Sequence, residues 1–416
     1  MADRPLIPRP PWRGRRVVLG VTGGVAAYKA VQLARDLTRL GALVDTVATR
    51  SAASFVAPLS FEGVTGRSVY SELLSGEGSA LHIRLGNQAD LVLVAPATAD
   101  LVARAAQGRA DDLLTTTLLV TRAPILLAPA MNDRMFSHPQ TRRNLEHCRE
   151  VLGYHVAGPG VGPLAIGEGE GPGRMLEPEA LVDHAGRLLG RDPTFEGRRV
   201  LVTAGPTREP VDPVRYVGNR SSGRMGFALA REAWLRGAEV FLVTGPSELP
   251  DPVGVHTVRV HTAREMLVEV ESLIPEADLT AFAAAVADFR PREIRPGKTK
   301  RSARGEKLEI ELVANPDIAL ETVAMRRKGS VTIGFALETE ELRERAAGKL
   351  EAKAFDLIVA NDPGVEGAGF EVATNQVLIL DRDGGEERIP LQEKGEVARL
   401  IMDRAGARLA VRGEGG

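Results

Sequence analysis

A chain of 416 residues, 44% of them apolar, is long enough for two or three ordinary domains and excludes a disordered or fibrous class. A net charge of -2, with 26% charged residues of mixed sign, excludes a nucleic-acid-coating surface, whose signature is clustered Lys and Arg. The single cysteine, Cys148, excludes an internal disulfide or a Cys-rich metal site and suits a reducing compartment. The seven histidines show no metal-ligand spacing, and the metal ligands stay unknown. Met1 to Arg16 lacks the apolar core of about 7 to 15 residues that a leader needs, and no uninterrupted apolar run approaches ~18 residues. A cytoplasmic protein with no membrane segment is the expectation.

Val17 to Val21 is a short apolar run ending in Thr22-Gly23-Gly24, and Ala27, Ala30, Val31, Leu33, Ala34 and Leu37 follow at helical spacing. That order predicts strand, tight turn, helix. Gly41 closes the helix, and Leu43 to Ala48, Leu91 to Ala95 and Ile125 to Ala128 are further continuous apolar runs. Continuous runs mean strands buried on both faces, hence a parallel sheet. Asn144 to Leu152 reads as a helix, Gly158 to Gly173 as a Gly- and Pro-rich loop folded over something, and Leu181 to Leu189 as a helix.

At residue 197 the chain begins again. Gly197-Arg198-Arg199-Val200-Leu201-Val202 echoes Gly14-Arg15-Arg16-Val17-Val18-Leu19, and Ala277-Asp278-Leu279 to Ala287-Asp288 echoes Ala89-Asp90-Leu91 to Ala99-Asp100 at nearly the same offset. Units of this length fold by themselves. The polar joint around Pro193 divides the chain into domains 1–190 and 191–416. The second repeats the pattern with strands at Val200 to Thr203, Val240 to Thr244, Leu279 to Ala284, Val331 to Phe335 and Leu357 to Ala360, and a helix from about Met225 to Arg236. The expected fold class is α/β: two doubly wound parallel-sheet domains of Rossmann or flavodoxin-like type. One difference stands out, because about fifteen residues, Gly205 to Asn219, replace the two-glycine turn. They fall at a strand's carboxyl end, where open parallel sheets bind ligands.

Gly23-Gly24 lets backbone approach a ligand closely, and the following helix offers free N–H groups to phosphate, although many such turns only pack. Ala95-Pro96-Ala97-Thr98-Ala99-Asp100 and Ala128-Pro129-Ala130-Met131-Asn132-Asp133-Arg134-Met135-Phe136 are more informative. Both put small residues and prolines where a flat ring could lie against backbone. With Leu81-His82-Ile83-Arg84-Leu85-Gly86, they resemble the flavin-dependent cysteine decarboxylases, marked by Pro-x-Met-Asn-x-x-Met and an aromatic, here Phe136. The resemblance implies bound FMN surrounded by Gly23, Gly24, Thr49, Ser51, Thr98, Ala99 and Met131. It implies that His82 is the base on the substrate thiol and that Asn132 holds the substrate carboxylate. An isolated histidine is ordinarily a satisfied surface residue, and Met131 and Met135 read equally well as core filler. The chemistry suits these residue types. A carboxylate on an unactivated carbon cannot leave, but hydride loss to flavin turns the carbon bearing sulfur into a thioaldehyde that accepts the electron pair. A histidine near neutral pKa suits the thiol proton.

The resemblance also exposes a departure. The family's phosphopantothenoylcysteine decarboxylases carry a proton-donating cysteine in a glycine-rich flap, whereas this chain has Ile166 in Leu164-Ala165-Ile166-Gly167-Glu168-Gly169-Glu170-Gly171-Pro172-Gly173-Arg174-Met175, with one residue more than usual before Gly-Arg-Met. Glu168, Glu170 or water are the substitutes, with Cys148 a poor one. Otherwise this half stops at the oxidised enethiol, or serves as an assembly module for the other half.

Gly205-Pro206-Thr207-Arg208-Glu209-Pro210-Val211-Asp212-Pro213-Val214-Arg215-Tyr216-Val217-Gly218-Asn219-Arg220-Ser221-Ser222-Gly223-Arg224-Met225-Gly226 resembles the signature of phosphopantothenate-cysteine ligases. Order and spacing along nearly the whole chain are similar to the bacterial bifunctional enzymes of coenzyme A biosynthesis. Ser222 and Gly223 open a helix and should cradle phosphate. Gly297-Lys298-Thr299 is not a phosphate-binding P-loop, because Arg292 stands at the first glycine position. The run Lys298-Thr299-Lys300-Arg301 reads by itself as a solvated surface loop. The resemblance implies that Lys298 stabilises charge as an acyl nucleotide forms, that Asn219 holds that intermediate, and that Arg215 belongs to the binding site. It further implies that Asp288, Phe335, Lys349, Lys353 and the loop Asn315-Pro316-Asp317-Ile318 meet the nucleotide. Lys349 and Lys353, four apart on a predicted helix, share one face, as an ordinary exposed lysine pair also would.

The activity so implied joins 4'-phosphopantothenate to L-cysteine through a cytidylate made from CTP, with Mg2+ on the phosphates. The product is then decarboxylated to 4'-phosphopantetheine. The implied assembly is a homo-oligomer, decarboxylase trimers joined through ligase dimers into a dodecamer, with neither nucleic acid nor membrane as partner. A nicotinamide dehydrogenase is disfavoured, since no G-x-G-x-x-G with a following acidic residue is present.

Overall fold

The computed structural model describes residues 8–74, 80–164, 166–167, 169–298, 308–337, 341–361, 364, 367, 369 and 372–413. It separates into two compact units, Met1–Gly190 and Arg191–Gly416.

In the first unit, β1 (Arg16–Val21), α1 (Ala27–Arg39), β2 (Leu43–Ala48), α2 (Pro58–Thr65), β3 (Val69–Tyr70), α3 (Leu81–Gln88), β4 (Leu91–Ala97), α4 (Ala99–Ala106), α5 (Leu113–Val120) and β5 (Ile125–Pro129) follow in order. Then come α6 (Asp133–Ser137), α7 (Pro139–Glu150), β6 (His155–Val156), β7 (Gly160–Pro163), β8 (Glu170–Arg174) and α8 (Pro178–Leu189). The sheet runs β3-β2-β1-β4-β5-β6, all parallel. Every residue of β4 is buried, as its unbroken apolar run requires. Ala27, Ala30, Leu33, Ala34 and Leu37 form the inner stripe of α1, and each fully buried leucine contributes roughly 1.5–3 kcal/mol. α5 starts at a capping box in which Asp112 accepts from the Thr115 N–H at 2.8 Å.

The second unit holds β9 (Arg199–Ala204), β10 (Arg208–Pro210), β11 (Tyr216–Gly218), α9 (Arg224–Leu235), β12 (Glu239–Thr244), β13 (His256–Arg259), α10 (Ala263–Leu273), β14 (Leu279–Phe282), β15 (Phe289–Pro291) and β16 (Leu312–Ala314). They are followed by α11 (Ile318–Glu321), β17 (Val331–Leu337), α12 (Leu342–Ala352), β18 (Leu357–Asn361), β19 (Thr374–Asp381), β20 (Glu386–Glu393) and α13 (Lys394–Gly413). Its sheet runs β13-β12-β9-β14-β17-β18-β19-β20.

The echoed residues do equivalent work. Asp90 accepts from the Arg16 N–H at 2.8 Å while its own N–H donates to Arg16 at 2.8 Å. Asp278 repeats both bonds with Arg199, at 2.9 Å and 2.8 Å. In each unit one aspartate closes the unpaired start of the central strand against its neighbour.

Four features differ from the sequence expectation. The Gly158 to Gly173 loop is largely the antiparallel hairpin β7–β8, which alternating glycines conceal because they leave no apolar alternation to read. The Gly205 to Asn219 loop contains the hairpin β10–β11, and the strand expected to reach Ala284 ends at Phe282. The second sheet is not wholly parallel, since β19 and β20 add an antiparallel ribbon at its edge. Its turn is built by Asp381, whose carboxylate accepts from the Asp383 and Gly385 N–H groups, both at 2.9 Å.

Candidate active sites at the strand ends

In the first unit the strand order reverses between β1 and β4, and the crevice beyond their carboxyl ends is where a doubly wound sheet receives a ligand. Gly23, Gly24, Thr49, Ser51, Thr98 and Ala99 all lie there. A Cβ on Gly23 would sit 2.5 Å from the Ser51 Cβ, so only glycine lets these turns approach. A Cβ on Gly24 would meet only the Thr98 methyl, at 3.6 Å. Thr98 caps α4 by accepting from the Leu101 N–H at 3.4 Å, and Thr49 donates to the Val21 carbonyl at 3.2 Å. The buried Thr22 hydroxyl, which sequence reasoning passed over, donates to the Pro96 carbonyl at 2.7 Å and lies 3.3 Å from the Thr98 hydroxyl. Its place at the last turn of an apolar strand was the available signal.

Met131 and Asn132 follow β5, beside β4, where the Ala130 N–H donates to Ala97 at 3.1 Å. Asn132 caps α6 through Oδ1, which accepts from the Arg134 N–H at 2.9 Å. That commits the oxygen and leaves Nδ2 as the donating end. The flap closes on this segment: the Met131 N–H donates to Gly173 at 3.0 Å, and a Cβ on Gly173 would fall 2.2 Å from the Met131 carbonyl. The base of the flap is anchored by the buried Lys29, whose ammonium lies 2.8 Å from Glu177, itself 2.6 Å from Arg174. The Lys29 hydrogen bond, outweighing partial burial, holds the Glu177 carboxyl below the usual carboxylate range.

His82 stands on the first turn of α3, and its Nδ1 is buried without a partner. Ile166 lies at the flap tip, wholly exposed. Glu170 begins β8. Glu168 lies outside the described residues. Cys148 is fully buried in an apolar cluster with Leu85, Leu127 and Leu145, and burial pushes its thiol up to about 11. A thiol so placed has no route to a ligand at the strand ends.

The second unit repeats the reversal between β9 and β14. Asn219 donates through Nδ2 to the carbonyls of Ala285 at 3.3 Å and Val286 at 2.9 Å, joining the inserted hairpin to the segment after β14. The buried Thr207 hydroxyl accepts from the Ala287 N–H at 3.0 Å. Asn315 closes the same cluster, donating through its backbone to Asp288 and through Nδ2 to Ala287, both at 2.8 Å. Asn219, Asp288 and Asn315 thus come together from loops far apart in sequence. Gly223 caps α9 in the left-handed region, with Ser222 beside it and the helix N–H groups beyond. Arg215 sits in the hairpin turn, its guanidinium 3.3 Å from the buried Asp212.

Phe335 is half-buried near the end of β17. Lys353 lies at the C-cap of α12 rather than within the helix with Lys349, and its ammonium is 2.9 Å from Asp317, the N-cap of α11. Pro316 is half-buried beside them, while the Ile318 side chain packs into the apolar cluster with Leu201, Val243 and Met266. Only the backbone of Ile318 is left to face a ligand. Lys298 is exposed on the connection between β15 and β16, apart from these groups in every described contact, and Thr299, Lys300 and Arg301 lie outside the described residues. Among the described residues no three His, Cys, Asp or Glu side chains cluster as a metal cage, and no helix is long and apolar enough to cross a membrane.

Residues 9–190 match the Flavoprotein family, and residues 195–408 match the C-terminal domain of the DNA/pantothenate metabolism flavoproteins. The coenzyme A biosynthesis bifunctional protein CoaBC of Vibrio cholerae serotype O1 is 44% identical over 94% of this chain and 97% of its own length. Its namesake in Escherichia coli strain K12 is 42% identical over 94% of this chain and 96% of its own. A crystal structure of the C-terminal domain of such a protein aligns with 53% of this chain and 99% of its own, at 39% identity and a TM-score of 0.45. The chain belongs to the coenzyme A biosynthesis bifunctional proteins, enzymes that unite a decarboxylase and a ligase in one polypeptide.

Proposed function

We propose that the unit Arg191–Gly416 ligates 4'-phosphopantothenate to L-cysteine at the expense of CTP, and that the unit Met1–Gly190 decarboxylates the product with FMN. The observation that carries this reading is that each unit gathers its own polar set at the strand ends beside its own β-strand reversal.

The first unit's residues fit a flavin. The cradle at Gly23 that a Cβ would fill, the exposed Ser51 and the α4 N-terminus at Thr98 suit a ring and its phosphate, and the orphaned His82 Nδ1 suits a polar ligand atom. FMN would be held by Gly23, Gly24, Thr49, Ser51, Thr98, Ala99 and Met131, and would supply the two-electron redox chemistry that side chains lack. His82 takes the substrate thiol proton. Asn132, its oxygen committed to α6, donates through Nδ2 to the substrate carboxylate. Isoleucine at 166 has no proton to give, so the last proton comes from water or a flap carboxylate. None of the relatives supports the alternative in which this half stops at the enethiol or only assembles the ligase.

In the second unit Ser222, Gly223 and the α9 N-terminus suit a phosphate, and Lys349, Lys353, Asp288, Phe335 and residues 315–318 suit the rest of a nucleotide. The substrate carboxylate attacks CTP and releases pyrophosphate, and the cysteine amine then displaces CMP. Mg2+ would be held chiefly by the phosphate oxygens of the nucleotide, where it would neutralise charge on the leaving pyrophosphate without a protein cage. Asn219, its Nδ2 spent on Ala285 and Val286, holds the acyl intermediate by accepting through Oδ1 from a hydroxyl or amide N–H of the bound substrate, and Lys298 neutralises charge as the acyl nucleotide forms. Arg215 completes the substrate pocket. The assembly is read as a homo-oligomer of dodecameric type on the family resemblance alone; exposed apolar side chains such as Tyr28, Phe55 and Leu59 in one unit and Tyr216, Phe289 and Ile294 in the other are available to an interface.

The test is to supply phosphopantothenate, cysteine, CTP and Mg2+ and weigh the products. Phosphopantetheine supports the proposal, and a species two hydrogens lighter identifies the enethiol. Purified protein without absorbance near about 450 nm, the usual range of a bound flavin, overturns the first half of the reading.

A further inference from the structure

Arg326 lies on the turn before β17, and no motif in the sequence singles it out. Its guanidinium carbon stands 5.5 Å from the ring centroid of Phe282, at the end of β14, and 5.6 Å from that of Phe355, just before β18. The two rings are 5.7 Å apart. One terminal nitrogen donates to the carbonyls of Lys353 at 2.9 Å and Ala354 at 3.0 Å, and the other donates to Ala319 at 2.5 Å. These acceptors belong to two elements. Ala319 lies in α11, whose N-cap is Asp317, and Lys353 is the C-cap of α12. The two caps are the pair whose side chains meet at 2.9 Å.

The stacked fork therefore joins by backbone the two elements that Asp317 and Lys353 join by side chain. Ala354 adds a second sign. Its φ of 51° lies in the left-handed region, which is strained for a non-glycine residue and persists where surrounding contacts over-determine it. The Arg326 bond to its carbonyl is such a contact. A lysine in this place would supply a point charge without the planar fork or the stacking face.

We propose that Arg326 is a positioning residue of the ligase, setting the separation of Asp317 and Lys353 so that the nucleotide meets both. The proposal rests on the reading above that these residues face the nucleotide. Loss of the clamp loosens the nucleotide side and leaves the Ser222–Gly223 turn and Asn219, which hang on other strands, in place. A merely structural arginine behaves differently, because its loss lowers the folded fraction, and with it kcat, without moving a KM.

The experiment uses the full chain with Arg326→Ala and Arg326→Lys, measuring ligation with CTP varied and then with phosphopantothenate varied. The expected result is a rise of about tenfold in the KM for CTP, with the KM for phosphopantothenate and kcat held within about twofold. Low millimolar guanidinium should lower the raised KM of Arg326→Ala, and the same concentration of urea should not. Arg326→Lys should show a smaller rise in the same direction and carries the test if the alanine variant does not fold. An unchanged KM for CTP, or two KM values that rise together, overturns the proposal. Lys353→Ala separates the two layers of inference. If it too leaves the KM for CTP unmoved, the nucleotide-site reading fails and takes the clamp with it. If it raises that KM while folded Arg326 variants do not, the clamp alone is wrong.

Discussion

The two units share a central strand pairing, β1 with β4 and β9 with β14, and even the aspartate that closes its start, yet they treat the crevice above it in opposite ways. The first leaves a bare glycine turn against Ser51 and brings a hairpin flap down from the far side, on Met131. The second fills the corresponding place with the hairpin β10–β11 and fastens Asn219 across to Val286. A flat cradle with a cover suits a ring that stays bound, whereas a pocket lined by committed amides and a helix N-terminus suits a substrate that turns over. Scaffold alone carries neither chemistry, and the loops that differ do.

The comparison breaks most directly by a crossed pair of substitutions. His82→Asn should lower decarboxylation of supplied phosphopantothenoylcysteine by about 10²–10⁴ and leave the ligation rate within about twofold, and Asn219→Ala should lower ligation by about 10² and spare decarboxylation. Mass spectrometry of both products checks it, and a variant that depresses both activities alike contradicts two independent sites.

A smaller effect sharpens the cradle. Gly23→Ala places a Cβ 2.5 Å from Ser51, and overpacking of about 1.4 kcal/mol or more should cut flavin affinity at least about tenfold. Gly24→Ala, which meets Thr98 at 3.6 Å, should retain affinity within about twofold. Flavin titration of the stripped proteins reads both. Equal losses would show that the turn does not discriminate as the geometry says.

The smallest effect concerns the scaffold. Burial alone would raise the Asp112 carboxyl, but the Thr115 N–H and the Arg104 guanidinium outweigh it and hold the pKa below its ordinary value. With the folded value below the unfolded one of about 3.9, the contribution is complete above the unfolded pKa and is lost as pH falls through the folded one. Asp112→Ala should therefore cost about 1 kcal/mol near neutrality, seen as a lower Tm of the first unit. The gap from the parent should shrink in acid. A gap that persists below both pKa values would assign the cost to packing.

Much of this was legible before any coordinates. Unbroken apolar runs such as Leu91 to Ala95 specify buried parallel strands, because no other element of that length hides both faces. The restart at Gly197 specified a second unit on the same plan, and its repeated Asp278 proved to hold the same backbone bonds as Asp90. The flap hairpin and the ribbon β19–β20 were hidden, since glycine-rich strands carry no alternation and an edge ribbon none that a buried strand would show.

What the sequence determined by itself is therefore local or periodic: strand, turn, helix, and the residue types offered at each strand end. Which of those residues meet was decided only by tertiary structure. Asn219 finds Val286 and Asn315 finds Ala287 because neighbouring parallel strands bring distant loops to one edge. Ile318 is drawn into the core by its apolar surface, and Arg326 acquires its place from two rings and three carbonyls that only the folded chain brings within reach. Spacing along a chain cannot encode such meetings, because each depends on how several strands pair at once.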